Sequence, residues 1–212
     1  MICNIIWDVD GTLFDTYPAI ARAFKAAIQQ LGKDAALEWI EELSKSSLGD
    51  CVAKLSSEYQ LEIGDIERAL KGAYAQTAAR ESPPFEGVKE LCKYIKSIGG
   101  KNVIITHRGR DGTLELLSVH QMIADFDGAI TRDDGYPRKP DPTAFHAAME
   151  RYCLGVENTI NIGDREIDIA AGQSAGIFSC LYASKPSSVQ PDLVVDHYEA
   201  LHRYIKEKNR EK

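Results

Sequence analysis

The sequence predicts an α/β protein, a parallel sheet whose strands are separated by helices, with a helical segment inserted after the first strand. Three observations lead there. From Glu86 onward, short apolar runs alternate with helical stripes. Residues 16–83 carry helical patterns and no convincing strand. The first apolar run, Ile2 to Trp7, stops abruptly at Asp8-Val9-Asp10-Gly11, so two carboxylates stand where a strand ends. In an open parallel sheet that edge is where ligands bind.

Within the insertion, Pro18 starts a helix in which Ile20, Phe24, Ala27, Ile28 and Leu31 recur at helical spacing, and Gly32 stops it. Further helices are predicted over Ala36 to Leu43, Cys51 to Tyr59 and Ile66 to Ala79, separated by Ser46-Ser47-Leu48-Gly49 and Glu62-Ile63-Gly64-Asp65. Ser82-Pro83-Pro84-Phe85 is a rigid connector at the far end. The core resumes with a helix carrying Val88, Leu91, Ile95 and Ile98, closed by Gly99-Gly100, and a strand over Lys101 to Ile105. Then come a helix from Gly112 to His120, a weak strand near Gly128-Ala129-Ile130, a helix from Pro142 to Cys153 and a strand from Thr159 to Ile162. A helix from Glu166 to Ala175, strands at Ile177 to Tyr182 and Leu193 to Val195, and a charged helix from Tyr198 to about Lys208 complete the chain, with Lys206 to Lys212 read as a frayed end. The predicted organisation is a core of residues 1–15 and 84–212 and an inserted helical domain of residues 16–83.

The 212 residues suffice for one well-buried core and a smaller accessory unit, and 44% hydrophobic with 27% charged residues is ordinary for a soluble globular protein. No run approaches a membrane span, and Asp8 interrupts the N-terminus too early for a secretory signal. Five cysteines with no Cys-x-x-Cys pair read as thiols in a reducing cytoplasm rather than a disulfide set or zinc site. A formal charge of −7 argues against general nucleic-acid binding, so an anionic ligand must be attracted by a local pocket.

Four stretches place chemistry at strand ends. Crowding Asp8 and Asp10 in a cleft is unfavourable without a cation, and all-oxygen ligands suit a hard one such as Mg²⁺; as a rival, Asp-Val-Asp-Gly is simply a polar turn. Thr106 follows an apolar strand, where its hydroxyl can donate to a phosphoryl oxygen or merely cap the next turn. In Arg138-Lys139-Pro140-Asp141-Pro142 the prolines restrict the backbone around a lysine that otherwise reads as a surface residue. Ile160-Asn161-Ile162-Gly163-Asp164-Arg165-Glu166-Ile167-Asp168 repeats the opening theme of strand, glycine and spaced acids, with Asp164 as a helix cap for its rival reading.

In that order, DVDGT at Asp8 to Thr12, Thr106, Lys139 in RKPDP and GDREID at Gly163 to Asp168, the chain resembles the haloacid dehalogenase-like hydrolase superfamily. The helical insertion is similar to the cap of its phosphoglycolate phosphatase-like members. The resemblance implies a Rossmann-like core and a Mg²⁺-dependent phosphatase acting on a small phosphorylated metabolite. It makes Asp8 the nucleophile that forms an aspartyl-phosphate and Asp10 the general acid and then base. Mg²⁺ would be held by the carboxylates of Asp8 and Asp164 and the main-chain carbonyl of Asp10, with Asp168 supporting metal or lysine. Thr106, Lys139 and backbone N–H groups near Gly11 and His107 would stabilise the transferring group.

His107 and Arg108 depart from the Asn or Ser that often follows the motif threonine; His107 could touch substrate or serve structurally. Asp134 fits an acidic position that could orient Lys139, Asp133 reads as solvated, and Lys45 or Lys54 of the insertion could meet a substrate anion or be ordinary surface lysines. A sugar-phosphate mutase is the alternative function. A haloalkanoic acid dehalogenase would not need Asp10, and a non-catalytic binding module leaves the full set of catalytic side chains unexplained.

Overall fold

A computed structural model describes residues 1–76, 79–183 and 189–210, the side chains of residues 75 and 76 excepted. The chain divides into two compact units, Met1–Phe14 with Pro84–Lys212, and Asp15–Pro83.

The first unit is built on a six-stranded sheet of order β3-β2-β1-β4-β5-β6, parallel throughout. Its strands are β1 (Asn4–Trp7), β2 (Asn102–Ile105), β3 (Gly128–Ile130), β4 (Thr159–Gly163), β5 (Phe178–Tyr182) and β6 (Leu193–Val195). The central strands β1, β2 and β4 are buried along their whole length, and β1 and β2 accordingly read as largely apolar runs, whereas β4 alternates and satisfies its buried Asn161 by donating to Asp168 O at 2.8 Å. The edge strands β3 and β6 are partly exposed and give the weaker signals. Successive strand side chains point to opposite faces, so Ile6, Val103, Ile105 and Ile130 pack with Phe145, Ala148, Ala171 and Ala175, whereas Trp7 reaches Tyr198, ring centroids 5.7 Å apart. The Trp7 indole N–H donates to Asn102 Oδ1 at 3.0 Å, so its one polar atom is satisfied in the core.

The second unit contains α1 (Tyr17–Gln30), α2 (Leu37–Ser44), α3 (Leu48–Tyr59) and α4 (Ile63–Gln76). Tyr17, Ile20, Phe24 and Ile28 along one stripe of α1 bury against Ile40, Cys51, Leu55 and Ile66 from the other three helices. In the first unit the helices are α5 (Val88–Ser97), α6 (Arg110–Val119), α7 (Thr143–Arg151), α8 (Glu166–Ser174) and α9 (Tyr198–Arg210).

Several boundaries differ from those the periodicity predicts, and side-chain caps account for two of them. Ser47 Oγ accepts from Asp50 N at 3.0 Å, so α3 begins at Leu48 and takes in a glycine that reads as a separator. Asp133 Oδ2 accepts from Arg110 N at 2.7 Å and starts α6 two residues before Gly112, so this acid is a cap rather than merely solvated. The C-terminal stretch is not frayed where described: α9 continues through Lys206 to Arg210, anchored by buried Tyr198, Leu201 and Ile205. The predicted end of the fourth helix, near residues 77–79, and the last two residues of the chain fall partly or wholly outside the described residues.

Candidate active site

The strand order reverses direction between β1 and β4, and such a switch point leaves a crevice outside the carboxyl ends of the strands. Asp8 follows β1 directly and Asp164 follows β4 directly. Asp8 N–H donates to Ile162 O at 3.0 Å, extending the β1–β4 ladder by one residue, so Asp8 is held in register with the strand that ends at Asp164. Beyond Asp8 the chain turns tightly. Gly11 adopts φ +74°, where a side chain would be strained, and the N–H groups of Leu13 and Phe14 both donate to Val9 O, at 3.0 and 3.1 Å. This turn separates the two acids: the Asp8 side chain is buried, while the Asp10 side chain is partly open to solvent.

Lys139 binds the first and last motifs together. Its Nζ donates to Asp8 Oδ1 at 2.7 Å and to Asp168 Oδ1 at 2.6 Å, with all three side chains almost wholly buried. Burial works against the ammonium, but Asp168 and Asp8 together hold its pKa above that of an ordinary lysine. For Asp8 the balance differs: burial pushes its carboxyl up to about 6, against the pull of Lys139. An anionic Asp8 is therefore short of positive charge, and its Oδ2 is a buried oxygen with no hydrogen-bond partner.

Asp168 is saturated. Its Oδ1 takes Lys139, and its Oδ2 takes the backbone N–H of Arg165 at 3.2 Å. Gly163 is what allows it this position, since a Cβ there would lie 2.2 Å from Asp168 Cβ. Asp164 receives the Thr12 hydroxyl at 3.3 Å, and Thr12 O in turn accepts from the buried Tyr198 hydroxyl at 2.6 Å. Arg165 is the N-cap residue of α8, so Asp164 lies one residue before the capping position.

Among the described residues, Asp8, Asp164 and Asp168 each offer a carboxylate oxygen within 4.8 Å of the others. With Asp168 committed to Lys139 and the α8 turn, Asp8 and Asp164 are the pair fitted to hold a hard cation. The orphaned Asp8 Oδ2 is the atom that such an ion would satisfy. Asp8, Asp10, Asp164 and Asp168 supply one more formal charge than Lys139, Arg108 and Arg165 neutralise, so a divalent ion would turn the site net positive.

Thr106 is buried at the end of β2, and its Oγ1 accepts from Arg108 N at 3.1 Å. The hydroxyl therefore caps its turn as an acceptor and keeps its proton to donate. The Gly11 N–H donates to Phe14 O at 3.0 Å, so this group is removed from the set of phosphoryl donors; the His107 N–H has no backbone acceptor among the described residues. Asp134 does not orient Lys139. Its carboxylate accepts from Thr131 N at 2.7 Å and pairs with Arg110 at 2.7 and 2.8 Å, which ties it to its own turn and to α6. Within the insertion, Lys45 pairs with Glu42 at 3.0 Å and Lys54 is exposed on α3.

Two residues with a clear place in the site carry little sequence signal. Arg108 approaches Asp10 with Nε at 3.2 and 3.3 Å from the two carboxylate oxygens and with Nη2 on Oδ1, a fork that fixes the direction of the acid. His107 accepts the Lys139 backbone N–H on Nε2 at 2.9 Å and so fastens the loop that carries the lysine. Burial and the nearby charges of Lys139, Arg138 and Arg165 lower the His107 pKa to about 4, so the ring is neutral. Their departure from the motif was the available signal, but it gave no partner.

Known proteins are similar to this chain in sequence and in fold. Residues 5–182 match the haloacid dehalogenase-like hydrolase family. A phosphoglycolate phosphatase of Photobacterium profundum is 30% identical, covering 95% of both chains. A pyrophosphatase of Halalkalibacterium halodurans is 28% identical over 83% of this chain and 81% of its own. The crystal structure of a hydrolase from Streptococcus pneumoniae TIGR4 is 30% identical, with a TM-score of 0.66 over 86% of this chain and 94% of the other. The acids after β1 and β4, the lysine that joins Asp8 to Asp168 and the match along most of the chain lead to one conclusion: this chain belongs to the haloacid dehalogenase-like hydrolase family.

Proposed function

We propose that the protein is a Mg²⁺-dependent phosphatase that hydrolyses a small phosphorylated metabolite through an aspartyl-phosphate on Asp8. The observation that carries this is a buried carboxylate at the switch point of the sheet, held by a lysine at 2.7 Å through one oxygen and bare at the other. The phosphatase and pyrophosphatase names of the relatives agree with it. Mg²⁺, held by Asp8, Asp164 and the Asp10 carbonyl, would supply positive charge to the phosphoryl oxygens.

An Asp8 carboxylate oxygen attacks phosphorus and the bond to the leaving oxygen breaks, with Asp10, which enters this step protonated and leaves it as the anion that the Arg108 fork stabilises, giving that oxygen its proton. Water then attacks the same phosphorus, Asp10 takes the water proton, and the bond to Asp8 breaks to release phosphate. Lys139 and the Thr106 hydroxyl donate to the phosphoryl oxygens throughout, and Asp168 holds Lys139 in place. The five free cysteines fit a reducing cytoplasm, and among the described residues no helix is long and apolar enough to cross a membrane.

Phosphate release from a panel of phosphorylated metabolites, with and without Mg²⁺, tests this. Turnover should need the metal, and the Asp8→Asn variant should lose it almost entirely while remaining folded. Substantial activity in that variant would refute the nucleophile assignment. Bisphosphate-dependent isomerisation without phosphate release would instead identify a mutase.

A further inference from the structure

The contacts of the His107 ring do not balance. Its Nε2 faces the backbone N–H of Lys139 at 2.9 Å, and that N–H can only donate, so Nε2 must be the bare nitrogen. A neutral imidazole then carries its hydrogen on Nδ1. Yet Nδ1 faces Arg138 Nη2 at 3.1 Å, and a guanidinium also can only donate. Two donors therefore face each other, and among the described residues no acceptor is bonded to either of them there. Protonating the ring removes nothing, because an imidazolium could no longer accept from Lys139.

We propose that His107 Nδ1 and the Arg138 guanidinium form a seat for a second anionic oxygen of the substrate, carried by the leaving group beyond the bond that breaks. This rests on the phosphatase function proposed above. An oxygen beside the pair, with the exposed Arg138 side chain turned to meet it, replaces the opposed contact with two hydrogen bonds. Charge favours an anionic oxygen: Lys139 is already paired with Asp8 and Asp168, whereas the guanidinium of Arg138 points at another donor, and a charged acceptor bonds it more strongly than a neutral one. Position decides that it belongs to the substrate. His107 and Arg138 are the immediate chain neighbours of Thr106 and Lys139, the groups assigned to the phosphoryl oxygens, and Arg138 is exposed, so the seat adjoins the phosphoryl site on its solvent side. A carboxylate or a second phosphoryl group has the required chemistry.

The test compares kcat/KM for phosphoglycolate, which carries a carboxylate, pyrophosphate, which carries a second phosphoryl group, and ethyl phosphate, which carries neither. In the Arg138→Met variant the preference for whichever anionic substrate is used should fall about tenfold to a hundredfold relative to ethyl phosphate, mainly through KM, as expected for loss of one charged hydrogen bond. Arg138→Lys should recover part of it. An unchanged preference overturns the seat. A second measurement does not depend on turnover: ¹⁵N NMR of the His107 ring in the intact protein should show the Nδ1–H tautomer, and glycolate should shift it in the wild type but not in Arg138→Met. A ring in the Nε2–H form, or one indifferent to glycolate in the wild type, overturns the proposal even if phosphatase activity is found. If no phosphate ester is hydrolysed while the ring behaves as stated, it is the phosphatase function that fails.

Discussion

Replacing Lys139 by methionine should destabilise the metal-free protein severely, because it leaves two buried carboxylates without their shared cation. The ammonium lies 2.7 Å from Asp8 and 2.6 Å from Asp168, and none of the three side chains is more than 2% exposed, so water cannot take over. Removing one partner of such a buried group costs about 3–5 kcal/mol. For a chain of this size each kcal/mol lowers Tm by roughly 2–4 °C, which gives a fall of about 6–20 °C. The deficit should also depend on pH. Asp8 titrates near 6 even with Lys139 present, and losing the lysine raises that value further, so the penalty is full only where the acids must be charged. Thermal unfolding followed by circular dichroism in EDTA, at pH 7 and pH 5, should show a smaller gap between variant and wild type at pH 5. Adding Asp168→Asn to Lys139→Met should restore part of the loss at pH 7. An unchanged Tm at pH 7, or a gap that widens on acidification, would refute the claim that Lys139 is the counter-charge of the core.

Three other perturbations separate the remaining contacts. The pKa of His107 is depressed to about 4 in the folded protein against about 6.5 for a free histidine, so the unfolded chain binds its proton first and stability falls as pH drops through that interval. His107→Gln should therefore flatten the acid side of the stability profile between pH 6.5 and 4, and parallel profiles would contradict the neutral, half-buried ring. Arg108→Met should lower kcat by about tenfold or more with a smaller change in KM, because the fork that aims Asp10 is lost and general acid–base assistance contributes about 10²–10⁴; a change confined to KM would place Arg108 on the substrate instead. Gly163→Ala should lose both stability and activity, since its Cβ would displace Asp168 at the foot of Lys139, and wild-type denaturation and turnover would show that β4 yields there at little cost.

The inward strands β1, β2 and β4, the helical insertion and the order of the four acid, threonine and lysine stretches were all legible in the sequence. Burial on both faces makes β1 and β2 largely apolar, and an abrupt polar stop then marks the carboxyl end of β1; β4 keeps a buried Asn161, which bonds Asp168 O, and is marked instead by the Gly163-Asp164 stop. Helix starts were less legible, because a cap such as Ser47 or Asp133 recruits residues whose own propensity points elsewhere. Asp134 illustrates the limit for the site. Its spacing from Lys139 allowed a contact, but the Thr131 turn and Arg110 hold it elsewhere, and no property of the linear chain ranks those partners.

By itself, then, the sequence carried the motif order by which the chain resembles its family and showed acids or a threonine just past the ends of β1, β2 and β4, since residue type and its place beside an apolar stretch are local properties. Only the tertiary structure decided which charges meet. It put Lys139 between Asp8 and Asp168, turned Arg108 onto Asp10, and set the His107 ring between two donors. Those pairings join positions that lie between 29 and 131 residues apart. Such distances close only when the sheet aligns its strands, and hydrogen-bond direction and burial then choose among partners that composition leaves equivalent.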